Sequence, residues 1–377
     1  MAEAAPYDMY KIDVTRGDLI GSGTYGSVYH GFLNSIQYSE GDIRKYDTQP
    51  IPVAVKVEET NENRFDLLNR MNPLLAKLKD ASYLKEFLPL IYNPFDLNQT
   101  PLWPLYAPNG PYEVHSVMGD IDCDLYTYAE INIKSIPFRD VGILCAQIIN
   151  MVQAVEVSGY MYTDLKIENI GVILQDHVLP KLVFLDLDSF IEYKPEDIKI
   201  PQKFATTFAV FPSKYASENF LPTLQRADET DREKAVKIHH ITGTLCCIAQ
   251  LLQNVLWNEL TDYSDNQIEH ANTLIGTFYE YAHEKETKTS FKPGERLKHM
   301  ETAINALGLL VENPLASPEF LDKTQVLVLS TDIIEPPNLP RIRNFVTEAK
   351  KTIRHALETI EDKGSAIPNW LSCFANF

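Results

Sequence analysis

The sequence lacks a long uninterrupted apolar run, and its N-terminus lacks the features of a leader. The most apolar stretch, Leu245 to Trp257, is broken by Gln250, Gln253 and Asn254. It falls short of the ~20 apolar residues that span a bilayer, so we expect no membrane span. The first residues, MAEAAPYDMYKIDV, carry acids and no apolar centre, which argues against a secretory signal.

Cysteine and positive charge are also scarce. Five cysteines, an odd number without CxxC spacing, predict reduced thiols in a cytoplasmic protein and exclude a disulfide framework or a CxxC-type metal site. The 34 Lys and Arg against 52 Asp and Glu give a net charge of −18, which repels nucleic acids and anionic membranes, so we expect no nucleic-acid partner. The 16 Gly and 23 Pro are spread too thinly along the chain for a long linker. The chain length of 377 residues predicts two domains or lobes.

The hydrophobic periodicity of the sequence changes once along the chain. Short β-type runs such as GSVYHGFL and PVAVKVE fill the first part, and segments of helical period dominate from about residue 137. This change predicts an α+β fold with a strand-rich lobe (1–120), a helical lobe (121–310) and a C-terminal helical extension (311–377). In that extension, Leu339 to Asp362 has apolar residues at helical spacing, and we expect an amphipathic helix that packs on the helical lobe.

A glycine-rich string, GSGTYGSVYHG, places Gly21, Gly23 and Gly26 in a G-x-G-x-x-G-x-V pattern. Backbone N–H groups of such a loop can approach phosphates because glycine has no side chain to obstruct them. Dinucleotide-binding folds have a similar string, and a plain glycine hairpin is a common alternative. A dinucleotide loop opens a helix, whereas residues 27–29 continue as a strand, which favours a hairpin lid over a nucleotide.

Lys56 ends the string VAVK inside a β-branched run. Taken alone it is a surface lysine on an edge strand. Beneath a glycine lid, the same lysine is a cation directed at the α- and β-phosphates of a nucleotide. Since the distance from Gly21 to Lys56 is long for one hairpin, we predict that residues 33–50 form an inserted loop.

The string YMYTDLKIENIGVI places Asp164, Lys166 and Asn169 at offsets 0, 2 and 5 between apolar flanks. Phosphoryl transfer needs an acceptor for the substrate hydroxyl proton, a cation near the transferred phosphoryl group and an amide oxygen for Mg²⁺. These three side chains supply all of them on one loop. The alternative is a solvated charged turn, which the glycine string and Lys56 in the same chain argue against.

With these motifs, the chain over residues 15–310 resembles the eukaryotic-type protein kinase superfamily, with YTDLKIEN where that family commonly has HRDLKxxN. The resemblance implies a bilobal kinase-like fold, ATP and Mg²⁺ as cofactors, and a protein substrate. Lysine after DL is the form found in serine/threonine kinases. By the same resemblance Asp164 is the catalytic base, Lys166 stabilises charge at the γ-phosphate, and Asn169 is a metal ligand.

The resemblance also implies a nucleotide site. An acid that opens a helix is a common cap, so the ribose-binding role that the family pattern gives to Asp124 competes with a structural role for Asp122 or Asp124. The residues assigned to the lid are Gly21, Ser22, Gly23, Thr24, Tyr25, Gly26 and Val28. The residues assigned to the adenine-binding hinge are Val117, Met118 and Gly119.

Two acids in LVFLDLDSF, Asp186 and Asp188, are candidates for the second metal ligand, because alternate residues of a strand share a face. In the family a bulky apolar residue follows the metal-binding aspartate, so Leu187 favours Asp186. Asp188 then stands where the family has glycine.

Other positions depart from the family pattern. Thr163 replaces the arginine before the catalytic aspartate, so we expect no activation through a phosphorylated loop that pairs with it. Ile238 stands where an aspartate usually lies five residues before the glycine taken as Gly243. YASEN, residues 215–219, resembles either an APE box or the YAS string of casein-kinase-1-like enzymes. The early acids that remain candidates for pairing with Lys56 are Glu58, Glu59, Glu62 and Asp66.

Two adjacent histidines, His239 and His240, would point about 100° apart on a helix, which argues against a shared metal site. Cys246 and Cys247 lie in an apolar helical pattern and are expected in the core.

Three functions are compatible with these features: a Ser/Thr protein kinase, a pseudokinase that acts as a nucleotide-binding scaffold, and a small-molecule kinase on a related fold. The first is favoured because all the phosphate-handling residues are present. The C-terminal helix is a candidate surface for a regulatory partner. The phosphate-handling residues are Lys56, Asp164, Lys166, Asn169 and Asp186.

Overall fold

The computed structural model describes residues 10–23, 26–38, 43–45, 50–60, 77–78, 81–89, 112–131, 138–175, 178–193, 224, 227–257, 264–287, 294–312, 339–363 and 371. The fold is mixed α+β, with strands concentrated in the N-terminal part and helices in the C-terminal part, as predicted. Two compact units divide the chain. The first contains Met1–Leu125 and Ile170–Asp188, and the second contains Tyr126–Asn169 and Ser189–Phe377. The expected boundaries at 120 and 310 remain predictions.

Strands and helices are numbered separately in chain order. The strands are β1 Tyr10–Gly23, β2 Gly26–Tyr38, β3 Ile43–Lys45, β4 Ile51–Thr60, β5 Tyr112–Gly119, β6 Cys123–Asp124, β7 Tyr160–Tyr162, β8 Ile170–Gln175, β9 Val178–Phe184 and β10 Phe190–Glu192. The helices are α1 Leu125–Ile131, α2 Phe138–Val157, α3 Glu229–Trp257, α4 Asp265–Thr287, α5 Glu295–Glu312 and α6 Leu339–Lys363.

An antiparallel sheet in the order β1-β2-β4-β5, with β3 beside β2, forms most of the first unit. Val53, Ala54 and Val55 of β4 are all buried, as expected for a β-branched strand inside a sheet. The predicted inserted loop over residues 33–50 is wrong in part, because β2 continues to Tyr38 and β3 pairs with it. Ile36 and Tyr38 alternate with polar residues, a pattern that suits an extended strand.

A second, three-stranded sheet of the first unit has the order β6-β8-β9. The sequence predicts a strand pair within DHVLPKLVFLDLDSF, and that string contains β9 and the first residue of β10. These strands do not pair with each other. Instead β9 pairs with β8, while β10 pairs with β7 in the second unit. The turn that carries Asp186 therefore joins strands of two different sheets.

The second unit is built around α3, whose residues from Ala235 to Leu252 are almost all buried. Cys246 and Cys247 lie in this core with no exposed surface, which confirms their expected place. The amphipathic C-terminal helix is confirmed as α6. It packs against α5, α2 and α3, as predicted. The stripe that α6 buries consists of Ile342, Phe345, Val346, Ala349, Ile353, Ala356, Leu357 and Ile360.

Two helices in the described part of the chain are long and apolar enough, by length and composition, to cross a membrane. These are Asp140–Val157, of which 56% is buried inside the protein, and Glu229–Leu256, whose apolar 18-residue window is 89% buried. Core helices of folded domains pass the same test, and burial of this extent is what a core helix shows.

Gly159 connects α2 to the strand that leads into the Asp164 loop. Its φ of 79° is in the left-handed region that favours glycine. The Gly159 N–H donates to the Glu156 carbonyl at 3.0 Å, and the Gly159 carbonyl accepts from the Tyr193 N–H at 3.3 Å. Gly159 thus ends α2 and fixes where β7 begins.

Candidate active-site clusters

Asp164, Lys166 and Asn169 form one cluster in the second unit, which we call the loop cluster. They lie on the turn after β7, and Asn169 ends a 3₁₀ turn, Ile167–Asn169. The Asp164 Oδ2 atom accepts from Lys166 Nζ at 2.9 Å and from Asn169 Nδ2 at 2.8 Å. Asn169 Nδ2 also donates to the Asp164 carbonyl at 2.8 Å. A partly exposed carboxylate is therefore held in one orientation by a cation and an amide.

Apolar residues between the polar ones anchor the loop cluster. Leu165 and Ile167 are buried, whereas Asp164 and Lys166 are partly exposed. Gly243 of α3 lies against Leu165, and a Cβ at Gly243 would be 2.9 Å from Leu165 Cδ2. The close approach of α3 to the loop thus depends on glycine at this position.

The orientation of the Asn169 amide follows from its neighbours. Both atoms that it faces on Asp164 are oxygen acceptors, so the Asn169 nitrogen lies on that side. Its amide oxygen is then on the opposite side, where an amide can serve as a ligand for a hard cation.

Lys56 and Asp186 form a second cluster in the first unit, which we call the strand cluster. Lys56 Nζ lies 3.0 Å from Asp186 Oδ1, and both side chains are partly exposed. Lys56 is on β4 directly opposite Val28 of β2, and Asp186 follows the end of β9. A cation and a carboxylate far apart in sequence thus meet at the end of a strand.

The tandem aspartates are distinguished by this contact. Asp186 pairs with Lys56, whereas the side chain of Asp188 lies outside the described part, and its backbone belongs to a 3₁₀ turn, Leu187–Ser189. Of the acids proposed to pair with Lys56, Glu58 and Glu59 belong to β4 itself, and Glu62 and Asp66 lie outside the described residues.

An apolar cluster lies on the same face of β4 as Lys56. Its buried members are Ala54, Met118 and Ile121. Ala54 is two residues before Lys56, so the two share a face of the strand. The sequence interpretation assigned Val28 and Met118 but missed Ala54 and Ile121, although the period of two from Lys56 points to Ala54. The partly buried members are Ile20, Val28 and Leu185.

The glycine string forms the turn between two paired strands, as the sequence predicts. Gly21 pairs with Val28, Ser22 with Ser27, and Gly23 with Gly26. Thr24 and Tyr25, at the tip, lie outside the described residues.

The proposed hinge belongs to the sheet. Val117, Met118 and Gly119 pair with Val55, Ala54 and Val53 of β4. Met118 lies in the apolar cluster, and alternation places Val117 on the other face of β5. The irregular chain begins only after Gly119.

The two acids near the hinge differ in their roles. Asp122 Oδ2 accepts from the Leu174 N–H at 2.7 Å, so Asp122 joins the β6 segment to β8. Asp124 lies beside the glycine turn, because a Cβ at Gly21 would be 3.9 Å from Asp124 Oδ2. Of the two, Asp124 is the one that borders the glycine turn.

Thr163, which stands where the kinase resemblance leads us to expect an arginine, is buried. Its N–H and its Oγ1 both donate to the Ser189 carbonyl, at 2.9 and 3.1 Å. The residue before Asp164 therefore bonds the turn that follows Asp186 in the chain. The segment YASEN lies outside the described residues.

The described thiols do not suit nucleophilic chemistry. Cys123, Cys145, Cys246 and Cys247 are free and buried. Burial raises the pKa of the Cys123 thiol to about 11, with the nearby Asp124 and Asp122 adding to it, and burial raises the pKa of Cys145 to about 12. These thiols stay protonated near neutral pH.

Among the described residues, no group of three or more His, Cys, Asp and Glu could hold a metal ion. Each cluster on its own holds one predicted hard oxygen ligand: the Asp186 carboxylate in the strand cluster and the Asn169 amide oxygen in the loop cluster. Mg²⁺ commonly takes one or two such protein ligands and completes its shell with phosphates and water.

No protein-family model matches the sequence, and no curated protein matches it. Among solved structures, one described as the structure of vaccinia related kinase 3 is similar over 93% of this chain and 93% of that chain, at 11% identity and with a TM-score of 0.42. A likeness this distant carries no conclusion about residues or activity, so a function has to rest on the geometry of the two clusters.

Proposed function

We propose that the protein is a kinase that transfers the γ-phosphoryl group of ATP to serine or threonine hydroxyls of a protein substrate. The observation that carries the proposal is the loop cluster, in which Lys166 and Asn169 both contact the Asp164 Oδ2 atom. A solvated charged turn has no reason to bury the residues between its charges. Here Leu165 and Ile167 are buried, so the charged groups are held in fixed positions.

Asp164 is the proposed general base. Its carboxylate accepts the proton of the attacking hydroxyl, a step that contributes about 10²- to 10⁴-fold in rate. Lys166 holds that carboxylate in the ground state and stabilises negative charge on the transferred phosphoryl group. Because Asn169 bonds both the main chain and the side chain of Asp164, it fixes the direction from which the proton is taken.

The first unit supplies the proposed nucleotide-binding groups. Lys56 neutralises charge on the α- and β-phosphates, and the glycine turn offers backbone N–H groups to them. The partly buried members of the apolar cluster, Ile20, Val28 and Leu185, provide an apolar surface for the adenine. Asp124 is the proposed ribose ligand. In this unit Asp186 would offer a carboxylate oxygen to Mg²⁺, which would neutralise phosphate charge. In the second unit, Asn169 is the other proposed Mg²⁺ ligand.

The experiment is a transfer assay on the purified full chain. It is incubated with γ-labelled ATP, Mg²⁺ and a mixed protein substrate, with and without EDTA, and the labelled protein is hydrolysed for phosphoamino-acid analysis. We expect Mg²⁺-dependent label on serine and threonine. Label on tyrosine alone would contradict the acceptor class.

Two other outcomes identify the competing functions. ATP binding, measured by calorimetry, without any transfer or hydrolysis would favour a nucleotide-binding scaffold. Transfer of label to small hydroxyl compounds in the same mixture, with none to protein, would favour a small-molecule kinase. Either result overturns the protein-kinase proposal.

A further inference from the structure

Helix α3 carries two adjacent buried histidines that contact the backbone of one residue next to the loop cluster. The His239 Nε2 atom lies 3.2 Å from the Tyr162 carbonyl oxygen. The Tyr162 N–H donates to His240 Nε2 at 3.4 Å. His239, His240 and Tyr162 are each at most 3% exposed. The two rings therefore bind the donor and the acceptor of the same residue.

These contacts fix the protonation of both rings. His239 Nε2 must carry a hydrogen to donate to a carbonyl, and His240 Nε2 must lack one to accept from an amide. Burial, with a smaller effect of His240, lowers the pKa of His239 to about 3 despite its bond to Tyr162, so this ring is neutral at physiological pH. The pair thus works as one donor and one acceptor.

The ring hydrogen of His240 is then on Nδ1, which faces Glu156 Oε2 of α2 at 3.7 Å. Burial alone would raise the pKa of Glu156, but the contact with His240 and the charge of Lys237 lower it, so Glu156 is ionised and faces the Nδ1–H group. The separation is longer than a hydrogen bond, so Glu156 favours the Nδ1–H form of His240 through its charge alone.

The position of Tyr162 explains why these bonds matter for the loop cluster. Within the described residues, β7 has one strand partner, β10, and Tyr162 pairs with Phe190 there. The next residue, Thr163, bonds the Ser189 carbonyl on that same side. The Tyr162 N–H and carbonyl are instead bonded from α3. The chain entering Asp164 is thus held from both sides of the strand.

We propose that His239 and His240 are positioning residues that fix the main chain two residues before Asp164 and thereby aim its carboxylate. This inference rests on the proposed function, in which Asp164 is the base. The sequence alone argues against a shared metal site at these two histidines and assigns them no other role. The two Nε2 atoms bind opposite polar groups of one residue, and that arrangement leaves neither for a shared ion.

The test compares apolar and conservative variants of each histidine with a control on the same helix. His239→Leu and His240→Leu remove the contacts. His239→Gln and His240→Gln keep a polar atom near the position of Nε2. Val255→Ala, at a buried site about 22 Å along α3 from His240, destabilises the helix without touching the loop. Each full-length variant is assayed well below its unfolding temperature for kcat, for ATP affinity and for amide hydrogen exchange of residues 160–166.

We expect the leucine variants to lose about 10- to 100-fold in kcat, the scale that misplacement of a reacting group produces, with ATP affinity unchanged. Exchange of residues 160–166 should accelerate. The glutamine variants should recover most of the kcat, and Val255→Ala should retain both the kcat and the slow exchange. If a leucine variant does not fold, the glutamine variant of the same histidine and the wild type provide the test. The proposal requires the Tyr162 amide of the wild type to exchange slowly.

The exchange measurement separates the two proposals. Accelerated exchange in the leucine variants of a chain whose wild type transfers no phosphate would support the anchoring contact and overturn the function. Wild-type activity with unchanged kcat in the leucine variants would overturn the positioning role and leave the function intact. A loss of kcat in Val255→Ala equal to that in the leucine variants would also overturn it, because stability alone would then explain the effect.

Discussion

The loop cluster and the strand cluster are built in opposite ways. Asp164 and Asn169 are five residues apart and are held by one turn. Lys56 and Asp186 are 130 residues apart and meet only when β4 and the turn after β9 are both in place. The loop cluster therefore depends on contacts between residues close in sequence, whereas the strand cluster forms only when its whole unit is folded. Substitutions of Asp164 and of the strand cluster should therefore separate proton transfer from nucleotide and metal binding.

The largest effect is expected in the strand cluster. Asp186→Ala should reduce Mg²⁺-dependent ATP turnover to background, because it removes the proposed metal ligand and leaves Lys56 without this carboxylate. Asp188→Gly should leave turnover intact or raise it, since under the proposed function Asp188 is not the metal ligand. Steady-state turnover over a Mg²⁺ titration provides the measurement. If Asp188→Ala proves more damaging than Asp186→Ala, the metal ligand has been assigned to the wrong aspartate.

A smaller effect is expected where α3 approaches the loop cluster. Gly243→Ala would bring a Cβ to 3.2 Å from Leu165 Cβ, and such overpacking costs about 1–3 kcal/mol. Gly142→Ala in α2 meets nothing within 4 Å, so it should stabilise the helix by about 0.5–1 kcal/mol. Urea unfolding measures both free energies. Equal changes for the two variants would contradict the close approach of Gly243 to Leu165.

The buried histidine should make stability depend on pH. The folded pKa of His239, about 3, is below its ordinary 6.5, so the unfolded chain binds the proton first as the pH falls. The contribution of the neutral His239 ring to the free energy of unfolding is complete above pH 6.5 and is lost as the pH falls toward 3. Over this range the free energy of unfolding changes by up to about 1.4 kcal/mol per pH unit. Subtracting the unfolding free energies of His239→Gln from those of the wild type isolates this slope. A difference that is flat over the window would contradict the neutral buried ring.

No effect is expected from removing phosphate. Thr163 bonds the Ser189 carbonyl with two donors, so the turn after Asp186 has a fixed partner without a phosphorylated loop. The chain, expressed in bacteria, treated with phosphatase and checked by mass spectrometry, should transfer phosphate at its full initial rate. A rate that starts near zero and rises as Thr206, Thr207 or Ser213 is phosphorylated would show that another cation, such as Lys203 or Lys214, has taken over the role of the arginine.

Features with a local signal could be predicted from the sequence. The period of apolar residues gives α6 almost to the residue, since the expected Leu339 to Asp362 is observed as Leu339–Lys363. The glycine turn is predicted correctly because the residues after Gly26 have strand character. The contacts within the loop cluster follow from spacing on one turn. In each case the interacting residues are close in the sequence.

Features that depend on distant residues could not be predicted in this way. The sequence offers only nearby acids as candidates for pairing with Lys56, whereas Asp186, which contacts Lys56 in the structure, belongs to a turn far along the chain. The contacts of His239 and His240 with Tyr162 span more than seventy residues, and only the packing of α3 against β7 reveals them. The length of the segment between Gly21 and Lys56 predicts a loop over residues 33–50, whereas the alternation at Ile36 and Tyr38 suits the observed continuation of β2, with which β3 pairs.

One measurement tests the central claim most directly: single-turnover phosphoryl transfer by Asp164→Asn at saturating ATP and Mg²⁺, with ATP affinity measured on the same preparation. Asparagine keeps the shape and removes the base, so we expect transfer to fall by about 10²- to 10⁴-fold with ATP affinity unchanged. Asp265→Asn, the same chemical change at an exposed position at the start of α4, should leave both values unchanged. Undiminished transfer by Asp164→Asn would contradict the account.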